Sequence, residues 1–249
     1  MTELEKKELE SLIEEALDRA ENIYRKVEPD LIKSTRYLAL NESIETDIPG
    51  FPLIEEGKPE VSDFIAFILD VRNSTKHLLQ ACSTSKVEKL ERTLYETSAI
   101  NTMGAFIIKK YTGGITEFLG DGFLAFFKVN KKEDVYFASN AAKECLNDGM
   151  TLVNSILNKR YNLEKINIGI GLAYSQAIIM LMKINDKFYP KALGECIYRA
   201  SKLTNGYNQI LFDDHLKLFW PSSKGGKVKF EEVKHKHSND VKGFKMEKN

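Results

Sequence analysis

Two aspartates, Asp70 and Asp121, stand where a carboxylate can do chemistry. Asp70 closes the apolar run Phe64–Leu69 and is followed by Val71-Arg72-Asn73-Ser74-Thr75, while Asp121 lies in the tight turn Gly120-Asp121-Gly122. A lone Asp at a strand end is ordinarily a helix cap or a turn former. Two of them, each beside a glycine- or hydroxyl-bearing turn, point instead to a shared divalent cation. Mg²⁺ and Mn²⁺ take oxygen ligands and few protein contacts, leaving positions for phosphate oxygens. The segment Arg72, Asn73, Ser74, Thr75 opens a short helix. Backbone N–H groups there, with two hydroxyls and a guanidinium, suit a phosphate, and N-capping by Ser74 or Thr75 is compatible with that role.

Converging two carboxylates that lie fifty-one positions apart requires elements that return the chain to one place. Phe64–Leu69 reads as a central strand buried on both faces. A helix is expected over Val87–Lys110, stopped by Gly113-Gly114. Ile115–Leu119 and Phe123–Phe127 form a hairpin around Gly120-Asp121-Gly122. Residues 133–158 read as helical with a bend near Gly149, and Ile166–Ala173 and Ala177–Ile184 as a second pair of apolar strands. Helix 194–205, a strand at Gln209–Phe212, a short helix from Asp213-Asp214 to Trp220, and a hairpin at Val228–Val233 and Val241–Met246 complete the pattern. Strand-helix-strand-strand-helix-strand is an α+β, ferredoxin-like βαββαβ sandwich, in which the first strand neighbours the hairpin. Upstream, apolar residues from Leu9 to Val27 at helical spacing predict a packing helix ended by Pro29. Residues 1–60 are therefore a helix with an irregular lead-in, and 61–249 the main domain.

Composition narrows the alternatives. The chain has 249 residues, 43% hydrophobic, with 36 Lys+Arg balanced by 36 Asp+Glu. A neutral balance gives no electrostatic grip on nucleic acid. No apolar run reaches the roughly 20 residues of a membrane span, and the start is polar, unlike a secretory leader. Cys82, Cys145 and Cys196 form no CxxC pair and read as reduced thiols of a cytoplasmic protein. His235 and His237 lie among lysines, and no metal role is assigned to them.

The stretches around Asp70 and Tyr111–Phe127 resemble the metal-binding signatures of class III nucleotide cyclases. Ile168-Gly169-Ile170-Gly171-Leu172-Ala173 is similar to that family's glycine-punctuated dimer-interface strand, and Ala192–Leu203 takes the place of its late catalytic helix. The resemblance runs from about Asp63 to the C-terminus. It implies two Mn²⁺ or Mg²⁺ ions held by Asp70, Asp121 and the Val71 carbonyl, and a ribonucleoside triphosphate closed to its 3′,5′-cyclic monophosphate with release of pyrophosphate. It also implies triphosphate contact by Lys242 and a homodimer with sites between the subunits.

Departures from the family's pattern bear on the substrate. Where adenylate cyclases carry a base-selecting Lys and Asp, this chain has Glu117 and Lys191. A Glu accepts from a ring N–H and a Lys donates to a carbonyl. Uracil (N3–H, O4) and guanine (N1–H, O6) both fit, cytosine can offer its amino group, and adenine has no ring N–H on that edge. The family's transition-state Asn and Arg are replaced by Tyr198 and Lys202, with Arg199 also within helical reach of Lys202. The Asp-Val-Arg-Asn-Ser-Thr loop and the Tyr-Arg-Ala-Ser-Lys-Leu helix look most like the pyrimidine cyclases of bacterial antiphage defence. UTP is the expected substrate, with CTP or GTP as alternatives. The rival reading is a non-catalytic domain of the same fold that binds nucleotide or dimerises.

Overall fold

The structure is a computed structural model describing residues 1–26, 43–79, 85, 87–184, 187–221, 228–233 and 241–248. Expectations for Pro29, Cys82, His235 and His237 lie outside those residues.

The centre of the fold is β3 (Glu60–Val71), twelve residues whose interior is buried without interruption. It hydrogen-bonds antiparallel to β5 (Gly122–Lys128) on one side and to β6 (Ile168–Ile184) on the other. With β4 (Gly114–Phe118), β7 (Lys187–Gly194), β8 (Gln209–Asp213), β9 (Val228–Val233) and β10 (Gly243–Lys248), these form an eight-stranded sheet in the order β4-β5-β3-β6-β8-β10-β9, with β7 on the far half of β6. The first four strands of that order are the expected βαββαβ core. The period-two alternation of β3 divides its side chains between two cores. Ile65, Phe67, Leu69 and Val71 enter one that also holds Ala99, Ile100, Met103 and Ile107 of α3 (Lys89–Lys110). Phe64, Ala66 and Ile68 enter the other, with Cys196 and Ala200 of α6 (Glu195–Lys202).

The expected bend near Gly149 is a π-helical turn, Cys145–Gly149, between α4 (Val135–Glu144) and α5 (Met150–Tyr161). The N-terminal helix α1 (Glu3–Lys26) buries Leu9, Ile13, Leu17 and Ala20 in the same core as α3. Arg160 at the end of α5 fixes it further, pairing with Glu14, Asp18 and Glu21. Cys145 and Cys196 are free thiols, both buried.

Three elements differ from the sequence reading. The two strands expected at 166–173 and 177–184 are one seventeen-residue strand, because the polar Tyr174-Ser175-Gln176 break stays paired with β3. Its distal half forms a hairpin with β7, which carries Pro190; among the described residues β7 pairs only with β6, and an edge tolerates a residue without an N–H. The lead-in contains a small hairpin, β1 (Ser43–Glu45) and β2 (Leu53–Glu55), whose loop residues Ile48 and Phe51 cap the second core.

Candidate active site

Strand pairing sets Asp70 and Asp121 beside each other in the sheet. Asp70 sits opposite Gly122 of β5, the residue after Asp121, and the Val71 N–H donates to the Asp121 carbonyl at 3.3 Å. The approach depends on Gly122 having no side chain, since a Cβ there would stand 2.0 Å from the Leu69 carbonyl oxygen. Val71, whose carbonyl the sequence resemblance assigns to a metal, is the last residue of β3, directly before the loop.

Around the pair stand the loop residues singled out from the sequence. Arg72 forms an ion pair with Asp70, and Ser74 Oγ donates to Asp121 Oδ2. The Arg72 side chain is 18% exposed, and its buried Nε has no hydrogen-bond partner among the described residues. Burial pushes the Arg72 pKa below its ordinary value, opposed by Tyr207 and Asp121 nearby. Asn73 holds a left-handed conformation at φ 62°, which an Asn accepts more readily than most side chains. Its Oδ1 accepts from Tyr207 Oη at 2.7 Å. Ser74 and the exposed Thr75 begin α2 (Ser74–Leu79), only six residues long. The hydroxyls and guanidinium, rather than a helix dipole, therefore carry the case for phosphate contact here.

No cluster of three or more His, Cys, Asp or Glu suited to a metal occurs among the described residues. Two carboxylates are nevertheless a sufficient protein contribution for Mg²⁺, which fills its shell with waters and substrate phosphate. The donor set fits a substrate-completed metal site and does not fit a closed structural cage.

Glu117 and Lys191 meet. Lys191 Nζ lies 2.6 Å from Glu117 Oε1, with side chains 36% and 41% exposed. In sheet order β4 and β7 are separated by β5, β3 and β6, so the β6–β7 hairpin must curl back over the sheet for this contact. The β4–β5 register shifts between Ile115 and Glu117, a bulge of the kind that re-aims a side chain.

On α6, Arg199, expected from the sequence to serve transition-state chemistry, is tied into the fold. Arg199 is 7% exposed, and its guanidinium is tied to Asp213 at 2.7 Å, to Glu195 at 3.1 Å and to Asp214. It joins α6 to the β8–α7 junction, where α7 spans Asp214–Phe219, with all three guanidinium nitrogens engaged in those ion pairs. Tyr198, 50% exposed, and Lys202 occupy the outward face, with Lys202 Nζ 5.1 Å from the Tyr198 ring centroid. Lys202 has no carboxylate partner among the described residues. Lys242 is exposed between buried Val241 and β10. Among the described residues, no hydrogen bond or ion pair links the Asp70–Asp121 cluster to the Glu117–Lys191 pair, to Lys202 or to Lys242.

The glycines of β6 have a role within the chain. A Cβ at Gly171 would stand 2.0 Å from the Ala200 carbonyl oxygen, and one at Gly169 would stand 1.9 Å from that of Thr204. They let the backbone at the end of α6 lie directly on the sheet, which the resemblance to a dimer-interface strand did not disclose. Sequence reasoning also missed Tyr207, His77 and Glu96, which brace α2 and its loop; no local pattern marks any of the three. A cavity of about 610 Å³ between α5 and the turn at Asn167 and Asn208 is lined by apolar side chains such as Leu146, Met150 and Ile166 together with several asparagines. Its Asn154 and Asn158 are committed to the backbone of residues 163–166.

No family model matches the chain, and no curated protein matches it. Solved structures do. The guanylyl cyclase Cya2 superposes with a TM-score of 0.60 at 19% identity, over 75% of this chain and 92% of that one. The adenylyl cyclase CyaB from P. aeruginosa gives 0.57 at 16% identity, over 77% and 97%. The guanylate cyclase domain of RhGC from Catenaria anguillulae, solved with GTP, gives 0.55 at 15% identity, over 77% and 99%. At these identities the likeness is one of fold: the chain has the architecture of class III cyclase domains with a helix added in front. No helix among the described residues is long and apolar enough to cross a membrane.

Proposed function

We propose that this chain is a nucleotidyl cyclase that converts a ribonucleoside triphosphate, UTP by preference, to its 3′,5′-cyclic monophosphate and pyrophosphate. The observation that carries this reading is the convergence of Asp70 and Asp121 at one hydrogen-bonded strand junction. The fold shared with adenylyl and guanylyl cyclase domains supports it.

Asp70 and Asp121, with the Val71 carbonyl, would hold two Mg²⁺ or Mn²⁺ ions. Bound there, such ions acidify the ribose 3′-hydroxyl and neutralise charge on the departing pyrophosphate. Arg72 and the Ser74 and Thr75 hydroxyls stand beside the carboxylates to receive phosphate oxygens, and Asn73 sets the loop's turn. Glu117 and Lys191 read the base edge, the carboxylate accepting uracil N3–H and the ammonium donating to O4. Their present ion pair is half exposed, so opening it to admit a base costs about 0–1 kcal/mol. Lys202 and Lys242 supply cationic charge toward the triphosphate, and Tyr198 flanks Lys202. Because these groups form no hydrogen bond or ion pair with the carboxylate cluster among the described residues of one chain, the reading takes a second copy to complete each site, as a homodimer. A role in antiphage signalling rests on the resemblance of the loop and α6 sequences.

Guanine offers the same donor–acceptor order as uracil and so defines the second reading, a guanylate cyclase. Incubating the purified protein with Mn²⁺ and each of the four triphosphates, then identifying products by mass spectrometry, separates them. Cyclic UMP from UTP is expected, and Asp70→Asn should abolish it. The metal assignment fails if that variant turns over as fast as the parent. Nucleotide retained without pyrophosphate release identifies a binding domain instead.

A further inference from the structure

Helix α2 follows the metal loop directly, yet none of its side chains is buried, and Leu78 and Leu79 are 44% and 65% exposed. Apolar burial, the usual anchor of a helix, is absent here. Its described attachments are polar and fall at both ends. Near its C-terminal end, His77 Nδ1 lies 2.8 Å from Glu96 Oε2 of α3. A carboxylate only accepts, so the imidazole carries its proton on Nδ1 in this bond. Glu96 is itself 4% exposed and held by Arg92 Nε at 2.7 Å, one turn earlier on α3. Before the helix, Tyr207 Oη donates to Asn73 Oδ1 at 2.7 Å, and the Asn73 carbonyl accepts from the N–H groups of Lys76 and His77. Ser74, bonded to Asp121, lies between these two ties, and Arg72, bonded to Asp70, immediately precedes the one at Asn73.

We propose that α2 is latched in place by polar contacts, and that Glu96, acting through His77, and Tyr207, acting through Asn73, are positioning residues for the metal–triphosphate site. Neither contacts a carboxylate of that site. Their effect is on the loop: released at either end, an element with no buried side chain frees Ser74 and Arg72 to leave the pair they brace. The buried Arg92–Glu96 pair makes the anchor on α3 immobile, since a buried charged group with its partner in place has no alternative position of comparable energy.

This inference rests on the proposed metal site, and its test separates the two. Three measurements are made on the full chain and on His77→Ala, His77→Asn and Tyr207→Phe: amide hydrogen exchange without metal, Mn²⁺ binding by electron paramagnetic resonance, and melting temperature. His77→Ala should speed exchange in α2 about tenfold, the factor one charge-assisted hydrogen bond carries, with α3 unchanged. Mn²⁺ affinity should fall by a similar factor while the melting temperature holds. His77→Asn, whose Nδ2 falls near the imidazole Nδ1, should restore both. Wild-type exchange in His77→Ala overturns the latch, and faster exchange with unaltered Mn²⁺ affinity overturns the positioning role. Should His77→Ala fail to fold, Tyr207→Phe, which removes one hydroxyl from a half-exposed ring, decides by the same readouts. If the parent binds no more Mn²⁺ than Asp70→Asn, the metal reading falls, and the exchange data still decide the latch.

Discussion

Reversing the Glu117–Lys191 pair tests the base-reading assignment most directly. In the double variant Glu117→Lys/Lys191→Asp, the ammonium would donate to adenine N1 and the carboxylate would accept from the adenine amino group. The parent's complements, uracil N3–H and O4, would then face groups of the wrong polarity. Each hydrogen bond to a charged group is worth about 1.5–3 kcal/mol, so two give roughly 3–6. The side chains are 36% and 41% exposed, which places the sum at the lower end, about 3 kcal/mol. That corresponds to about a hundredfold fall in the ratio of kcat/KM for UTP over ATP. Stability should change little, because an exposed pair contributes about 0–1 kcal/mol and its reversal keeps opposite charges facing. The assay is steady-state pyrophosphate release with each nucleotide, alongside a thermal melt. A UTP:ATP ratio unchanged in a variant that folds and turns over would refute the assignment.

Other outcomes follow from contacts elsewhere in the fold. Arg199→Ala should cost about 3–5 kcal/mol of stability, because it leaves fully buried Asp213 without its cation; Lys202→Ala should lose turnover with no shift in melting temperature. Equal melting temperatures for the two variants would contradict that division. Ile13→Ala, in a wholly buried position on α1, should cost about 2–5 kcal/mol in a denaturant titration, and a near-zero cost would show that α1 is not part of the core. The Glu5 carboxyl is held down from the ordinary 4.5 to about 2, first by the hydrogen bond from Lys110 and then by the Thr2 backbone. A depressed folded-state pKa gives stability that is complete above about 4.5 and lost as pH falls toward 2. Glu5→Gln should therefore flatten the melting-temperature profile within that window, and an unaltered profile would exclude the contact.

The carboxylate pair was legible because strand ends and tight turns have short-range signatures, and a βαββαβ order makes its first strand and its hairpin neighbours. What stayed hidden depended on distant partners. Tyr174-Ser175-Gln176 has the polarity of a turn, and only pairing with β3 keeps it extended. Lys187–Gly194 contains Pro190, which argues against a central strand and says nothing against an edge. Arg199 and Lys202 are both cations within one turn of α6. Which of them turns inward is decided by Asp213 and Asp214, which lie past the loop that follows the helix. Gly169 and Gly171 were read for a partner subunit, while the backbone they accommodate belongs to their own chain.

The unbroken seventeen residues of β6 act as a ruler. One end lies beside Asp70 through Gly169, and the other carries the hairpin with Lys191. At about 3.3 Å per residue, the separation of those two points along the strand is counted out in residues. Adding or deleting one would turn Lys191 to the opposite face, and two would carry it about 7 Å along. An insertion or deletion within that span should accordingly disturb the placement of Lys191 more than one made after Ile184.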